Sequence, residues 1–127
     1  MQGIGIVLFT LGGKNLKRAL RGLTDVLDKT VVVNDGKNEV VDETKIRKYI
    51  KPVFTQYPSS CYNMGIRELL KDDSIEHIFI NKELLEDDGW VRLERGNVMT
   101  INGLDGYALP KLNKRLDYAR PNKISKS

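Results

Sequence analysis

The segment from Thr30 to Gly36, TVVVNDG, constrains the fold of this chain more than any other. Three consecutive valines suit a strand that is buried on both faces, as the strands of a parallel sheet are. The run ends in Asn34 and Asp35, so a carboxylate follows the carboxyl end of the strand, where ligands bind in open α/β sheets. By itself, the same pattern also fits a strand followed by an ordinary Asp-Gly turn.

The residues before this strand predict a βαβ unit. Residues 4–10 are apolar and rich in Ile and Val, which indicates a first strand. Apolar residues then recur every three or four positions over 14–28, the pattern of an amphipathic helix. Gly12-Gly13 between them fits either a tight turn or a loop that binds phosphate at a helix N-terminus, and no complete phosphate-loop motif is present. Together with the valine strand, these elements predict an α/β fold with a Rossmann-like, open, mostly parallel sheet and flanking helices.

The rest of the chain predicts shorter elements in the same style. Gly65 falls inside one of the helices, where glycine suggests that something packs closely against the backbone. His77, the only histidine, has no neighbouring histidine or cysteine in the sequence and is interpreted as a sheet residue rather than a metal ligand. The predicted elements are a helix over 42–50, a strand over 53–55, a helix over 60–72 with Ser59 or Ser60 as N-cap, a strand over 75–80, a helix over 86–94, a hairpin around Asn102-Gly103 and a helix over 111–118.

Composition places the chain among single-domain proteins of ordinary hydrophobicity. It has 127 residues, of which 40% are hydrophobic and 30% are charged. The single cysteine, Cys61, rules out an internal disulfide and fits a reducing compartment, and no apolar run is long enough for a membrane span. We therefore expect a cytoplasmic protein without a transmembrane segment.

The positive charge is concentrated at the C-terminus. From Pro110 onward six basic residues face one acid, a net charge of +5, whereas residues 1–109 carry a net charge of −1. We therefore divide the chain into a domain over 1–109 and a basic tail over 110–127. The tail fits a solvated terminus, or a segment that holds phosphates, nucleic acid or an anionic membrane surface.

Four segments in order, IVLFTLGGKNLKRAL, VVVNDG, SCYNMGIRELL and IFINKELLEDDGW, carry a resemblance to a known family. They resemble the nucleotide-sugar half of family 2-like glycosyltransferases, which have the GT-A fold, over residues 4–95. In that family the second strand ends in an acidic pair that binds base and ribose, and a later helix carries an Asn-x-Gly-Ile element like Asn63 to Ile66. The resemblance implies these nucleotide-binding residues: Thr10, Asn34, Asp35, Asn63 and Lys82.

The family's metal motif is altered in this chain. Relatives have an acidic motif after the fourth strand, whereas this chain has Asn81, Lys82 and Glu83. The resemblance implies Glu83 and Asn81 as oxygen ligands of Mn²⁺ or Mg²⁺ bridging to the diphosphate. Alternatively, Lys82 neutralises the diphosphate as a fixed cation, without a metal, because a leaving diphosphate needs positive charge near it.

The family's acceptor-binding half, which supplies the catalytic base, has no counterpart of similar length here. The candidates for that base are Asp105, Asp117 and the acidic cluster at 86–88, which includes Asp88, although this cluster also fits charge at a helix N-terminus. A site assembled between subunits of a homo-oligomer is another source of the base.

Three functions are consistent with these sequence features. The first is a minimal glycosyltransferase that takes a sugar from a nucleotide-sugar to an unknown acceptor. The second is a catalytically degenerate GT-A-like domain that binds nucleotides or serves assembly. The third, a nucleic-acid binder acting through the tail, ranks last because the sequence lacks interleaved aromatic residues and a recognised motif.

Overall fold

The computed structural model describes residues 3–12, 14–36, 41–54, 58–81, 91–93, 97–110 and 119–121. Two α-helices, one 3₁₀ helix and eight strands occur in this part of the chain. The strands are β1 (Ile4–Thr10), β2 (Thr30–Asn34), β3 (Lys48–Ile50), β4 (His77–Asn81), β5 (Val91–Leu93), β6 (Asn97–Ile101), β7 (Leu104–Pro110) and β8 (Ala119–Pro121). The helices are α1 (Lys14–Gly22), the 3₁₀ helix (Thr24–Lys29) and α2 (Pro58–Leu70).

Six of the strands form one sheet in the order β3-β2-β1-β4-β7-β6. The first four are mutually parallel, whereas β7 runs antiparallel to both β4 and β6. The α/β class is therefore confirmed, and the sheet is mixed because the C-terminal hairpin joins it as two antiparallel strands.

The two strands that the sequence indicates most strongly lie at the centre of the sheet. Every residue of β1 and β2 is buried, and the two pair in parallel from Ile6 with Thr30 to Thr10 with Asn34. Burial on both faces explains why neither strand alternates apolar with polar residues. The prediction of a buried valine strand is confirmed.

Helix α2 packs closely on one face of this sheet. Its buried residues Tyr62, Ile66 and Leu69 form a core with side chains of β1, β2 and β4. A Cβ atom at Gly65 would overlap Cγ1 of Val7, so the close packing expected at this glycine is confirmed. The helix begins at Pro58 rather than after a serine cap, because proline fits the first turn, where a backbone N–H has no helical partner. Ser59 and Ser60 therefore lie inside the helix.

Helix α1 and the 3₁₀ helix cover the opposite face, and the single helix predicted over 14–28 is wrong. The α-helix stops at Gly22, and Val26 has non-helical angles (φ −130°, ψ 21°) within the 3₁₀ segment. Leu23, fully buried at the break, packs with Ile6 and Phe79. The three- and four-residue spacing of apolar side chains therefore continues past Gly22, although the α-helix ends there. Such spacing reflects which side chains pack on the sheet, and it does not distinguish an α-helix from a 3₁₀ helix.

The predicted helix over 42–50 and the strand over 53–55 are also corrected. Residues 43–47 form turns and bends, and 48–50 form the edge strand β3, whose pairing with β2 outweighs helical propensity. Val53 and Phe54 are bends exposed to 89% and 76%, while residue 55 lies outside the described residues.

The hairpin around Asn102-Gly103 is confirmed. Both turn residues have positive φ, 48° and 85°, as a two-residue turn between antiparallel strands requires. The predicted strand at 75–80 is β4, which begins at His77. No helix in the described part of the chain is long and apolar enough to cross a membrane.

The end of the chain carries a small second sheet. β5 pairs antiparallel with β8, and both strands lie near α2. Residues 91–93 are therefore a strand, which corrects the last part of the helix predicted over 86–94. Residues 82–90, the helix predicted over 111–118 and residues 122–127 lie outside the described residues.

Candidate functional site at the carboxyl ends of the parallel strands

The order of the parallel strands reverses at one point of the sheet, between β1 and β4. From β1 the chain passes to β2 and β3 on one side, and then through α2 to β4 on the other side of β1. In open α/β sheets, ligands bind outside the carboxyl ends of the strands at such a reversal. The last residues of β1 and β4, Thr10 and Asn81, lie at this point, and Asn34 ends the neighbouring strand β2, with Asp35 directly after it.

The loops that follow β1 and β2 are bonded to each other. The Thr10 carbonyl oxygen accepts a hydrogen bond from the Asp35 backbone N–H at 3.0 Å, and Thr10 Oγ1 accepts one from the Gly12 N–H at 2.9 Å. A Cβ atom at Gly36 would overlap the Leu11 carbonyl oxygen. Glycine at position 36 is thus needed for this close approach of two backbones, and the approach holds the preceding Asp35 in place.

The buried Asn34 side chain holds the loop after β2 in place. Its side chain is fully buried; Oδ1 accepts from the Gly36 N–H at 2.9 Å, and Nδ2 donates to the Tyr49 hydroxyl at 3.0 Å. These bonds fix the turn after β2 and tie it to the edge strand. Asn34 is therefore a positioning residue for the Asp35 loop in this structure.

Asn81 joins the ends of β1 and β4. Its amide is 1% exposed, with Oδ1 accepting from the Phe9 N–H and Nδ2 donating to the Phe9 carbonyl, both at 2.8 Å. The Tyr62 hydroxyl donates to the Asn81 carbonyl at 2.7 Å, and its ring meets Phe9 edge-on at 5.1 Å. The Asn81 side chain thus makes the two hydrogen bonds to the Phe9 backbone that a neighbouring strand's backbone makes in a regular sheet.

Asp35 differs from these neighbours because it is only half-buried. It accepts a hydrogen bond from the thiol of Cys61, in the first turns of α2. Burial, together with the nearby Asp35 charge and this bond, raises the pKa of Cys61 to about 12. The thiol is therefore protonated at neutral pH, and it acts as a hydrogen-bond donor to the carboxylate rather than as a nucleophile.

The remaining predicted residues fall in different places. Asn63 is buried in α2 at 6% exposure. Lys82, Glu83 and Asp88 lie outside the described residues, so their roles stay predictions.

The predicted metal site lacks a ligand set among the residues that the structure describes. Within those ranges no three His, Cys, Asp or Glu side chains come together, and both polar atoms of Asn81 already bond to Phe9. Hard cations such as Mn²⁺ and Mg²⁺ take several oxygen ligands, carboxylates above all. The described residues therefore do not fit such an ion, and Glu83 remains the one predicted ligand still to be placed.

A cavity of about 300 Å³ opens on the α1 face of the same edge. It lies between α1, the ends of β1 and β4, and the hairpin, and its lining includes Thr10, Asn81 and Asp105. Asp105 accepts a hydrogen bond at Oδ1 from the Thr100 hydroxyl at 2.8 Å. By strand alternation, Asp105 and Thr100 lie on the face of the hairpin opposite Leu104, so this candidate base borders the cavity with its backbone, and its catalytic role stays a prediction.

Two features of the edge escaped sequence reasoning. The contact between Cys61 and Asp35 joins residues 26 positions apart in the chain, and Arg18 reaches the cavity from α1. Arg18 carried only the signal of a helix rich in basic residues, which cannot tell one cation from the next. Cys61 carried no signal, since a lone cysteine fits any buried position.

Comparisons with known proteins add no relative. No protein-family model, curated protein or solved structure matches this chain. The resemblance to family 2-like glycosyltransferases therefore stays a prediction from the residues quoted above.

Proposed function

We propose that this chain binds a nucleotide-sugar at the carboxyl ends of its parallel strands and transfers the sugar to an acceptor, as a minimal glycosyltransferase of GT-A type. The observation that carries the proposal is Asp35, a half-buried carboxylate that a hydrogen-bonded loop holds at the carboxyl end of β2, the strand beside β1, where the strand order reverses. A carboxylate at this place accepts the hydroxyls of a ribose or the N–H groups of a base.

The support is geometric and comes from preorganisation. The bonds of Thr10 and Asn34 hold the loop after β2 in one conformation. A ligand that bonds to Asp35 therefore loses no free energy in ordering the loop, and this preorganisation favours its affinity. In the transfer step the bond between the anomeric carbon and the phosphate oxygen breaks and the diphosphate leaves with the electron pair, while the acceptor oxygen bonds to the anomeric carbon and gives its proton to a base.

The first test is a thermal-shift panel of nucleoside diphosphates and nucleotide-sugars, each with and without Mn²⁺. A ligand at a hundred times its dissociation constant stabilises the native state by about 2.7 kcal/mol, which raises Tm by several degrees. We expect one nucleotide family to shift the wild type and Asp73→Asn equally, and Asp35→Asn much less. Asp73 is an exposed carboxylate in the turn after α2 and serves as the matched control. Equal shifts in Asp35→Asn and wild type would contradict the proposed site.

A second candidate is a nucleotide-binding domain without transfer. It is favoured by Asn34 and Asn81, whose side chains are occupied in holding the edge together. Release of nucleoside diphosphate from the nucleotide-sugar that binds best separates the two candidates. Turnover that is lost in Asp35→Asn supports the transferase, whereas binding without any release of diphosphate supports the second candidate.

A further inference from the structure

The two outermost strands of the six-stranded sheet differ in how well they are protected from pairing with a further strand. β3, at one end, has only three residues, and Lys51 and Pro52 follow it directly. The Lys48 ammonium of β3 lies 3.1 Å from the Glu68 carboxylate of α2. Short length, charge and proline are the features by which outer strands avoid pairing with another chain. β3 is therefore a poor acceptor for a further strand.

β6, at the other end of the sheet, lacks these features. Its five residues, NVMTI, include no charged residue and no proline. Val98 is 75% exposed, and no further strand pairs with β6 in the part of the chain that the structure describes. An outer strand of this kind is a template on which another strand can pair.

The hairpin geometry shows which backbone groups of β6 are left for such pairing. Ile101 and Leu104 flank the two-residue turn and form a hydrogen-bonded pair, as this type of hairpin requires. Bonded and non-bonded pairs alternate along an antiparallel ladder, so Thr100 and Val98 belong to non-bonded pairs. Their N–H and C=O groups point away from β7, and within the described ranges no other backbone hydrogen bond uses them. We call these four groups the β6 edge.

The side chains beside the β6 edge are uncovered as well. Val98 lies directly opposite Tyr107, which packs on the core of the α2 face, so Val98 and Thr100 are on that face of the hairpin. Both are exposed. Met99 points to the other face, where it packs on the core beneath the 3₁₀ helix. A strand added at the β6 edge therefore covers an exposed valine in addition to bonding four backbone groups.

We propose that a second copy of this chain pairs at the β6 edge, antiparallel and about a two-fold axis, so that the two sheets become continuous. The axis passes between Met99 of one copy and Met99 of the other. Val98 of each copy then lies opposite Thr100 of the other copy. Each of these two pairs exchanges two hydrogen bonds, so every group of both β6 edges has a partner.

A second copy fits this edge better than a charged peptide because β6 is complementary to itself. Antiparallel pairing of two such strands opposes no like charges over 97–101, and it sets β-branched Val98 against β-branched Thr100. The same lack of charge gives β6 nothing with which to select a charged partner. Pairing of one patch with itself about a two-fold axis is also the commonest form of homodimer. The proposal does not rest on nucleotide binding, because three strands separate β6 from β2.

The first test is sedimentation equilibrium of the full chain over about a hundredfold range of concentration. We expect the wild type to pass from monomer to dimer as the concentration rises. The double variant Val98→Lys with Thr100→Lys sets lysines opposite each other in both pairs, which is expected to weaken the dimer about tenfold. Val53→Lys is the matched control, because Val53 is 89% exposed and lies outside the strands. This control is expected to dimerise as the wild type does.

A second double variant tests the register. Val98→Glu with Thr100→Lys sets a carboxylate opposite an ammonium in both pairs of the proposed register, and we expect a dissociation constant within about threefold of wild type. In a register with position 98 opposite itself, two carboxylates meet instead. A dimer weakened as much by this variant as by the two lysines would contradict the proposed pairing.

Hydrogen exchange of the wild type identifies the occupant of the edge without any variant. We expect the amides of Val98 and Thr100 to exchange more slowly as the protein concentration rises. Slow exchange that does not depend on concentration would show that another segment of the same chain covers the β6 edge, and would overturn the proposal. A monomer over the whole concentration range, or equal weakening of the dimer by Val53→Lys, would overturn it too.

Discussion

The two faces of the central sheet are filled in opposite ways. On the α2 face the helix backbone touches the strands: a Cβ at Gly65 would overlap Val7, and one at Gly5 would come within 2.8 Å of Leu69. On the α1 face a shorter helix, a 3₁₀ turn and a hairpin leave a cavity of about 300 Å³. The difference teaches that the α2 face fixes the sheet, whereas the α1 face leaves room for a ligand.

Asn81→Ala is expected to have the largest effect, because it removes the side chain that joins β4 to β1, and both faces of the sheet include these strands. It removes the partners of the Phe9 N–H and carbonyl, two buried groups that each cost roughly 1–3 kcal/mol when unsatisfied. We expect a loss of about 2–4 kcal/mol in the free energy of unfolding, measured by urea denaturation without added metal.

Tyr62→Phe is the control for Asn81→Ala. It removes one hydrogen bond to the Asn81 carbonyl, and about 1 kcal/mol should be lost. If Asn81→Ala costs no more than this control, Asn81 does not hold the strand ends together.

Gly65→Ala tests the close packing of the α2 face. Alanine favours a helix by roughly 1 kcal/mol over glycine, so propensity alone predicts stabilisation. The overlap with Val7 predicts the reverse, a net loss of about 1–2 kcal/mol, because overpacking a filled core costs roughly 1–3 kcal/mol. Urea denaturation gives the sign directly, and a gain in stability would contradict the proposed contrast between the faces.

Ala19→Leu is the matching change on the α1 face, where the side chain gains volume next to the cavity. We expect a change within about 1 kcal/mol of wild type, or a small gain, because filling a cavity adds contacts without forcing neighbours apart. A loss as large as that of Gly65→Ala would show that the cavity is closed in solution.

The smallest effect at neutral pH concerns Cys61. Its folded pKa, about 12, lies above the ordinary thiol pKa of 9.0, so the native state favours the protonated thiol. The stabilisation is complete below about pH 9 and declines as the pH rises toward 12. We expect the stability of wild type to fall more steeply over this range than that of Cys61→Ala. Parallel pH curves would show that the Cys61 environment contributes nothing.

Local pattern predicted the elements in which one interaction dominates. The valine run became β2 because β-branched residues in an unbroken apolar run fit a fully buried strand. Asn102-Gly103 became a hairpin turn because both residues accept positive φ. The edge strand β3 could not be predicted, because residues 42–50 have helical character and only pairing with β2 makes 48–50 extended.

For the candidate site, the sequence alone determined which residues stand at the carboxyl ends of the first two parallel strands, since the apolar runs end at Thr10 and at Asn34-Asp35. It did not determine what those residues bond to. Only the tertiary structure decided that Asn81 bonds to the backbone of Phe9, 72 positions away, and that Cys61 meets Asp35. The physical reason is that strand formation depends on neighbouring residues, whereas hydrogen bonds and cavities depend on distant segments that come together only when the sheet and helices pack.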